Sequence, residues 1–126
     1  MDWAHPERSW ARFMESVAPA RTFGFHSELE MLAKKGLAKG ASMENALLLD
    51  EGRVVNPEGL RLQNEIAAHK LLDAIGDLAL TGAPLLGRID AVEAGHSMHL
   101  RAIEEAFRTG ALIKGVLEPS GEFRPL

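Results

Sequence analysis

Leu62-Gln63-Asn64-Glu65-Ile66-Ala67-Ala68-His69-Lys70-Leu71-Leu72-Asp73-Ala74-Ile75-Gly76-Asp77-Leu78-Ala79-Leu80 is the longest periodic segment of the chain, and its reading decides the fold. At about 100° per residue, Leu62, Ile66, His69, Asp73, Asp77 and Leu80 fall in one sector roughly 80° wide, with Leu71, Ile75 and Leu78 opposite. The spacing predicts a helix, stopped by Thr81-Gly82-Ala83-Pro84. Apolar residues on two sides predict that it is largely buried. Three ionisable side chains nevertheless line one apolar face, and an uncompensated carboxylate there costs several kcal/mol. A cation would offset that cost. Residues at i and i+4 lie about 5–6 Å apart, so His69 and Asp73 can converge on one zinc at roughly 2.0–2.2 Å. Asp77, a turn further on, can orient another imidazole. Taken alone, His-x-x-x-Asp equally describes a helix with a His–Asp pair and no metal.

Working outward, Trp10, Phe13, Met14 and Val17 have helical spacing over Ser9 to Val17, closed by Pro19. Arg21 to Phe25 reads as extended, and Ser27 with Glu30 as a capping box opening a helix through Leu37. Asn45 to Asp50 and Arg53 to Asn56 read as a hairpin around Glu51-Gly52. After the long helix, Leu85 to Val92 is a strand candidate, Glu93-Ala94-Gly95-His96 a loop, and Ser97 to Arg108 a last helix. The Pro-, Gly- and charge-rich tail, 115–126, reads as loose. The pattern is α+β, with helices layered on a small, mainly antiparallel sheet.

The 126 residues are 46% hydrophobic and 25% charged, the balance of one globular domain. A net charge of −4 argues against a nucleic-acid partner. With no cysteine, a metal must be held by His, Asp or Glu. No signal-like or membrane-spanning run is present, which points to a cytoplasmic location. His96, after Gly95, is placed for a general acid or an electrostatic stabiliser, or is simply a loop histidine. Thr22 reads as a strand hydroxyl and Phe23 as a core aromatic.

Ala18-Pro19-Ala20-Arg21-Thr22-Phe23-Gly24-Phe25, Gly36 to Ala46, Leu60-Arg61, His69 to Asp77 and Gly95-His96 occur in an order and spacing that resemble the C-terminal half of the UDP-3-O-acyl-N-acetylglucosamine deacetylase family, zinc amidases of lipid A biosynthesis. The match runs from about Asp2 to Arg108. The resemblance implies the second-domain half of a two-domain fold, with residues 1–114 as the deacetylase-like domain. It implies His69 and Asp73 as zinc ligands and His96 as the catalytic histidine, held by Asp77. Thr22 matches a threonine that helps stabilise the oxyanion, Phe23 a residue lining the acyl-chain passage, and Lys70 a lysine contacting the diphosphate of the UDP-linked acylated glucosamine substrate. The implied reaction is hydrolysis of the 2-acetamido group with a zinc cofactor.

The departures are specific. In the family a third zinc ligand, a histidine, and the adjacent glutamate base lie in an N-terminal half that this chain does not contain. Three protein ligands plus water is the usual catalytic arrangement. Glu93 stands where the family usually has a phosphate-holding lysine, and Met98-His99-Leu100 replaces Leu-Asn-Asn. His5, His26 and His99 carry no context marking one as a replacement ligand. Met1-Asp2-Trp3 falls within the late strands of the second domain, suggesting truncation. Two readings follow: an enzyme half needing a separate N-terminal half, or a catalytically inactive relic that binds metal or a partner.

Overall fold

The computed structural model describes residues 6–36, 40 and 42–126, and the chain divides into two compact units, Met1–Leu72 and Asp73–Leu126. In the first unit, α1 (Pro6–Ser16) precedes β1 (Thr22–Phe25), α2 (His26–Lys34), β2 (Ala46–Asp50) and β3 (Arg53–Val54). β1 and β2 pair in parallel, with Thr22 opposite Ala46 and Phe25 opposite Leu49. A parallel pair needs a crossover, which α2 provides. The expected end of that helix at Leu37 lies outside the described residues, as do the side chain of Glu30 and all of His5.

β2 and β3 are antiparallel, as expected from their sequence. Glu51 (φ 46°) and Gly52 (φ 76°) both take left-handed conformations, as a tight two-residue hairpin turn requires. Buried Asn56 closes this hairpin. Its Oδ1 accepts from the Leu48 amide at 2.8 Å, and its Nδ2 donates to the Met43 and Ala46 carbonyls at 2.9 Å each. The three-stranded sheet is therefore mixed, and the α+β class expected from the sequence holds.

The apolar core among the described residues is small: Ala20, Ala46, Leu47 and Leu49. Beside it lies an ion pair that the sequence did not announce. Arg21 Nε donates to Glu65 Oε1 at 2.8 Å and Nη2 to Oε2 at 3.2 Å, while the Arg21 amide donates to Oε1 at 3.0 Å. The Arg61 amide completes the carboxylate at 2.6 Å, and Arg21 also reaches Glu58 and the Gly59 carbonyl. Burial pushes the Glu65 carboxyl up, but the Arg21 and amide hydrogen bonds outweigh it and hold it at about 2.

α3 (Glu65–Ala79) is the long helix expected, entered through a turn at Leu62–Asn64. It ends at Ala79 and is followed by a turn in which Gly82, with φ 75°, donates its amide to the Ala79 carbonyl. The expectation that it is largely buried is corrected: Leu71 is 50% and Ile75 40% exposed, and the buried residue of the helix is Glu65. Too little apolar surface faces it within the described residues.

In the second unit, α4 (His96–Arg108) is followed by β4 (Gly115–Leu117) and β5 (Phe123–Pro125). These strands pair antiparallel, so the segment expected to be a loose tail is a hairpin, with the Phe123 ring over Gly115 where a Cβ would collide. The strand expected over Leu85 to Val92 is absent. Pro84 and Gly87 interrupt it, Ile89 and Val92 are exposed, and none of the described strands pairs with it.

Replacing Glu65 by Ala leaves Arg21 buried beside a missing partner and should lower stability by roughly 3–5 kcal/mol in urea unfolding. Glu65 has a folded value of about 2 against an ordinary 4.5, so its stabilisation is complete above pH 4.5 and lost as pH falls toward 2. Acid titration followed by circular dichroism should show that loss in the native chain, and a much smaller one in E65Q.

Candidate functional site

Glu65 and His69 stand one turn apart on α3, so the contact that secures the start of the helix also sets the direction of His69. His69 Nδ1 lies 3.4 Å from the Ala20 carbonyl, and its ring meets Phe23 edge-on with centroids 6.4 Å apart. A carbonyl oxygen only accepts, so a hydrogen bond at this contact puts the ring proton on Nδ1 and the lone pair on Nε2. Phe23 is half-buried rather than a core residue, Thr22 is exposed at the head of β1, and Lys70 is half-buried beside His69.

Asp73 and Asp77 follow on the same helix but belong to the second unit. There the sequence Gly95-His96-Ser97-Met98-His99 starts α4. Gly95 is extended (φ −142°, ψ 177°), and its carbonyl accepts from the amides of Met98 and His99. His96 is thus the first residue of a helix, not the end of a strand and loop. Glu93, two residues before Gly95, is exposed with φ 51°, a conformation uncommon for a residue with a side chain.

His96 and His99, three residues apart, share one face of α4. His96 Nδ1 lies 2.8 Å and His99 Nδ1 2.7 Å from the same atom, Asp77 Oδ2. An ionised carboxylate only accepts, so both rings donate from Nδ1. Hydrogen bonds from His99 first and His96 second hold the Asp77 carboxyl below its ordinary value. His96 Nε2 points toward Asp73, 3.9 Å from Oδ1. The side chain of His96 is 65% exposed, whereas those of His99, Asp73 and Asp77 are 10%, 13% and 15% exposed.

The fold therefore brings Asp77 to His96, the pairing the family resemblance implied, and Phe23 to His69. It also brings in His99, which the sequence reading set aside; its i,i+3 spacing from His96 is the signal that would have found it. Among the described residues, the group of three ligand-type side chains that converge is Asp77, His96 and His99.

A carboxylate on one helix that fixes an imidazole at the start of the next defines a class of site suited to proton transfer. Sequence comparison supplies the family. Residues 2–108 match the family model of UDP-3-O-acyl N-acetylglycosamine deacetylase. The chain is 43% identical over 117 residues to the UDP-3-O-acyl-N-acetylglucosamine deacetylase of Citrifermentans bemidjiense, covering 86% of this chain and 38% of that protein. It is 46% identical over 110 residues to the protein of the same name from Anaeromyxobacter dehalogenans, covering 87% and 35%. With that of Phenylobacterium zucineum it shares 53% over 89 residues, covering 71% and 30%. The chain belongs to the UDP-3-O-acyl-N-acetylglucosamine deacetylase family, and it spans about a third of the length of these relatives.

Asp77→Asn removes the ionised acceptor that both rings share. Proton NMR of the native chain should show hydrogen-bonded Nδ1 protons on His96 and His99, and D77N should lose both signals together. Loss of only one would contradict the shared-oxygen geometry.

Proposed function

We propose that this chain contributes part of the catalytic site for zinc-dependent deacetylation of UDP-3-O-acyl-N-acetylglucosamine in lipid A biosynthesis, in the cytoplasm. The observation that carries the reading is the 2.8 Å contact from His96 Nδ1 to Asp77 Oδ2. Asp77 holds the His96 ring in one tautomer, so Nε2 is the nitrogen that exchanges a proton with the reacting group. On this reading His96 stabilises the developing oxyanion and protonates the leaving amine. Thr22 adds a hydroxyl donor toward the same oxyanion, Phe23 lines the passage for the acyl chain, and Lys70 meets the diphosphate.

His69 and Asp73 are the two residues that would hold zinc. The donor set fits: a neutral imidazole nitrogen and a carboxylate oxygen, with the other imidazole nitrogen facing a backbone carbonyl. When bound, zinc supplies Lewis-acid polarisation of the amide carbonyl and a water of lowered pKa. The third ligand and the general base are assigned to a separate N-terminal half, with residues 1–114 as the C-terminal deacetylase-like domain. Exposed Glu93 would repel the substrate phosphates rather than hold them, so Lys70 carries more of that contact. A second reading, an inactive metal-binding module of the same fold, is favoured by the convergence of three ligand-type side chains, Asp77, His96 and His99, within the second unit.

The test is deacetylase activity of the chain combined with an N-terminal half from a relative. Activity should appear only in the combination. In it, His96→Ala should lower kcat about 10²–10⁴-fold, the range of a lost general acid. H69A and D73A should lower bound zinc. Unchanged zinc in both variants would sink the ligand assignment.

A further inference from the structure

Asp77, His96 and His99 each offer one ligand atom, and these atoms lie within 4.8 Å of one another. All three residues belong to Asp73–Leu126, on α3 and α4. Two imidazole nitrogens and one carboxylate oxygen are a donor set for zinc and neighbouring divalent metals. We propose that Asp77, His96 and His99 form a binding site for a divalent transition-metal cation, distinct from the His69 and Asp73 pair.

The geometry is close to what such an ion needs. Metal–ligand bonds of about 2.0–2.2 Å in tetrahedral array hold donor atoms roughly 3.3 Å apart. The two nitrogens now stand 2.8 and 2.7 Å from Asp77 Oδ2, so the cluster opens by about half an ångström to admit the ion. The movable ligand is His96, at the first position of α4 with 65% of its side chain exposed. The anchored ligands are His99 and Asp77, at 10% and 15%. Exposure on the His96 side provides the entry path and leaves the remaining coordination position to water. The carboxylate is held ionised by its two imidazole partners, the state a ligand must have.

Binding needs the Nδ1 lone pair of both rings, so each Nδ1 proton leaves it, to Nε2 as the tautomer changes in a neutral ring or to solvent from a doubly protonated one. A metal here and the hydrogen bond that orients His96 for proton transfer therefore exclude one another. The site does not depend on zinc at His69 and Asp73, and it needs no residue from another chain.

The test is titration of the 126-residue chain with Co2+, followed by its visible absorption, with Zn2+ displacement measured by calorimetry. The native chain should bind an ion with the absorption of low-coordinate Co2+. Because loss of an outer-shell partner alone costs about 10–100-fold in affinity, H99A and H96A should each weaken binding by more than about tenfold. H69A should bind as the native chain does. His96 is exposed, so H96A tests the site even if H99A fails to fold, which circular dichroism will show. Absence of Co2+ binding by the native chain, or native affinity in H96A, overturns the proposal. Loss of binding in H69A with H96A unaffected also overturns it, and would leave the zinc reading of His69 standing.

Discussion

The buried pair between Arg21 and Glu65 is the constraint on which the first unit depends. Arg21 immediately precedes β1, and Glu65 is the first residue of α3, so 44 residues of chain are closed by one carboxylate and one guanidinium. Neither charge is tolerable alone at 3% and 0% exposure. Each finds further hydrogen bonds, from two backbone amides on the acid side and to Glu58 and Gly59 on the base side. An anion at the start of α3 is also where the helix dipole favours one. Because His69 lies one turn beyond Glu65, the same clamp brings its imidazole against the Ala20 carbonyl and the Phe23 ring. With an apolar core as small as Leu47 and a few neighbours, this polar junction does much of the positioning that a larger core does elsewhere.

The second unit has its own organising carboxylate. Asp77 takes two imidazole donors on one oxygen, which ties α3 to the first turn of α4. That turn lacks a side-chain cap, and Gly95 ahead of it is extended, with its carbonyl accepting from the Met98 and His99 amides. The contact explains why a carboxylate stands where the sequence calls for an apolar residue. It also separates the aspartates on α3: Asp77 takes two imidazole donors, whereas Asp73 stands 3.9 Å from His96 Nε2.

Much of this was legible in the sequence, because helical periodicity is a local property. The C-terminal end of α3, the Glu51-Gly52 turn and the alignment of His69, Asp73 and Asp77 all follow from spacing and turn chemistry, whereas the helix starts at Glu65 rather than Leu62. The pairing of Asp77 with His96 was implied by the family resemblance; the helical spacing alone gave only a carboxylate able to orient some imidazole. What was not legible depended on distant partners. Arg21 and Glu65 look like ordinary charged residues until folding brings them together. Leu85 to Val92 has the composition of a strand but gains no edge to pair with. Phe123 and Gly115 form a hairpin that composition alone disguises as a tail. His99 has no local context that marks it as a site residue, and only its i,i+3 spacing from His96 places both rings on one face. The exposed apolar residues of α3 show that amphipathic pattern states which faces can be covered, not which are covered within the described residues.

Under the proposed function His69 and Asp73 of this chain hold zinc, while Asp77 holds His96. Anomalous diffraction at the zinc edge, from crystals of the chain combined with an N-terminal half, tests it most directly. The account predicts a peak within bonding distance, about 2.0–2.2 Å, of both His69 and Asp73. At low zinc, the Asp77 to His96 hydrogen bond should stay intact. A crystal with zinc bound but no density between His69 and Asp73 would contradict it.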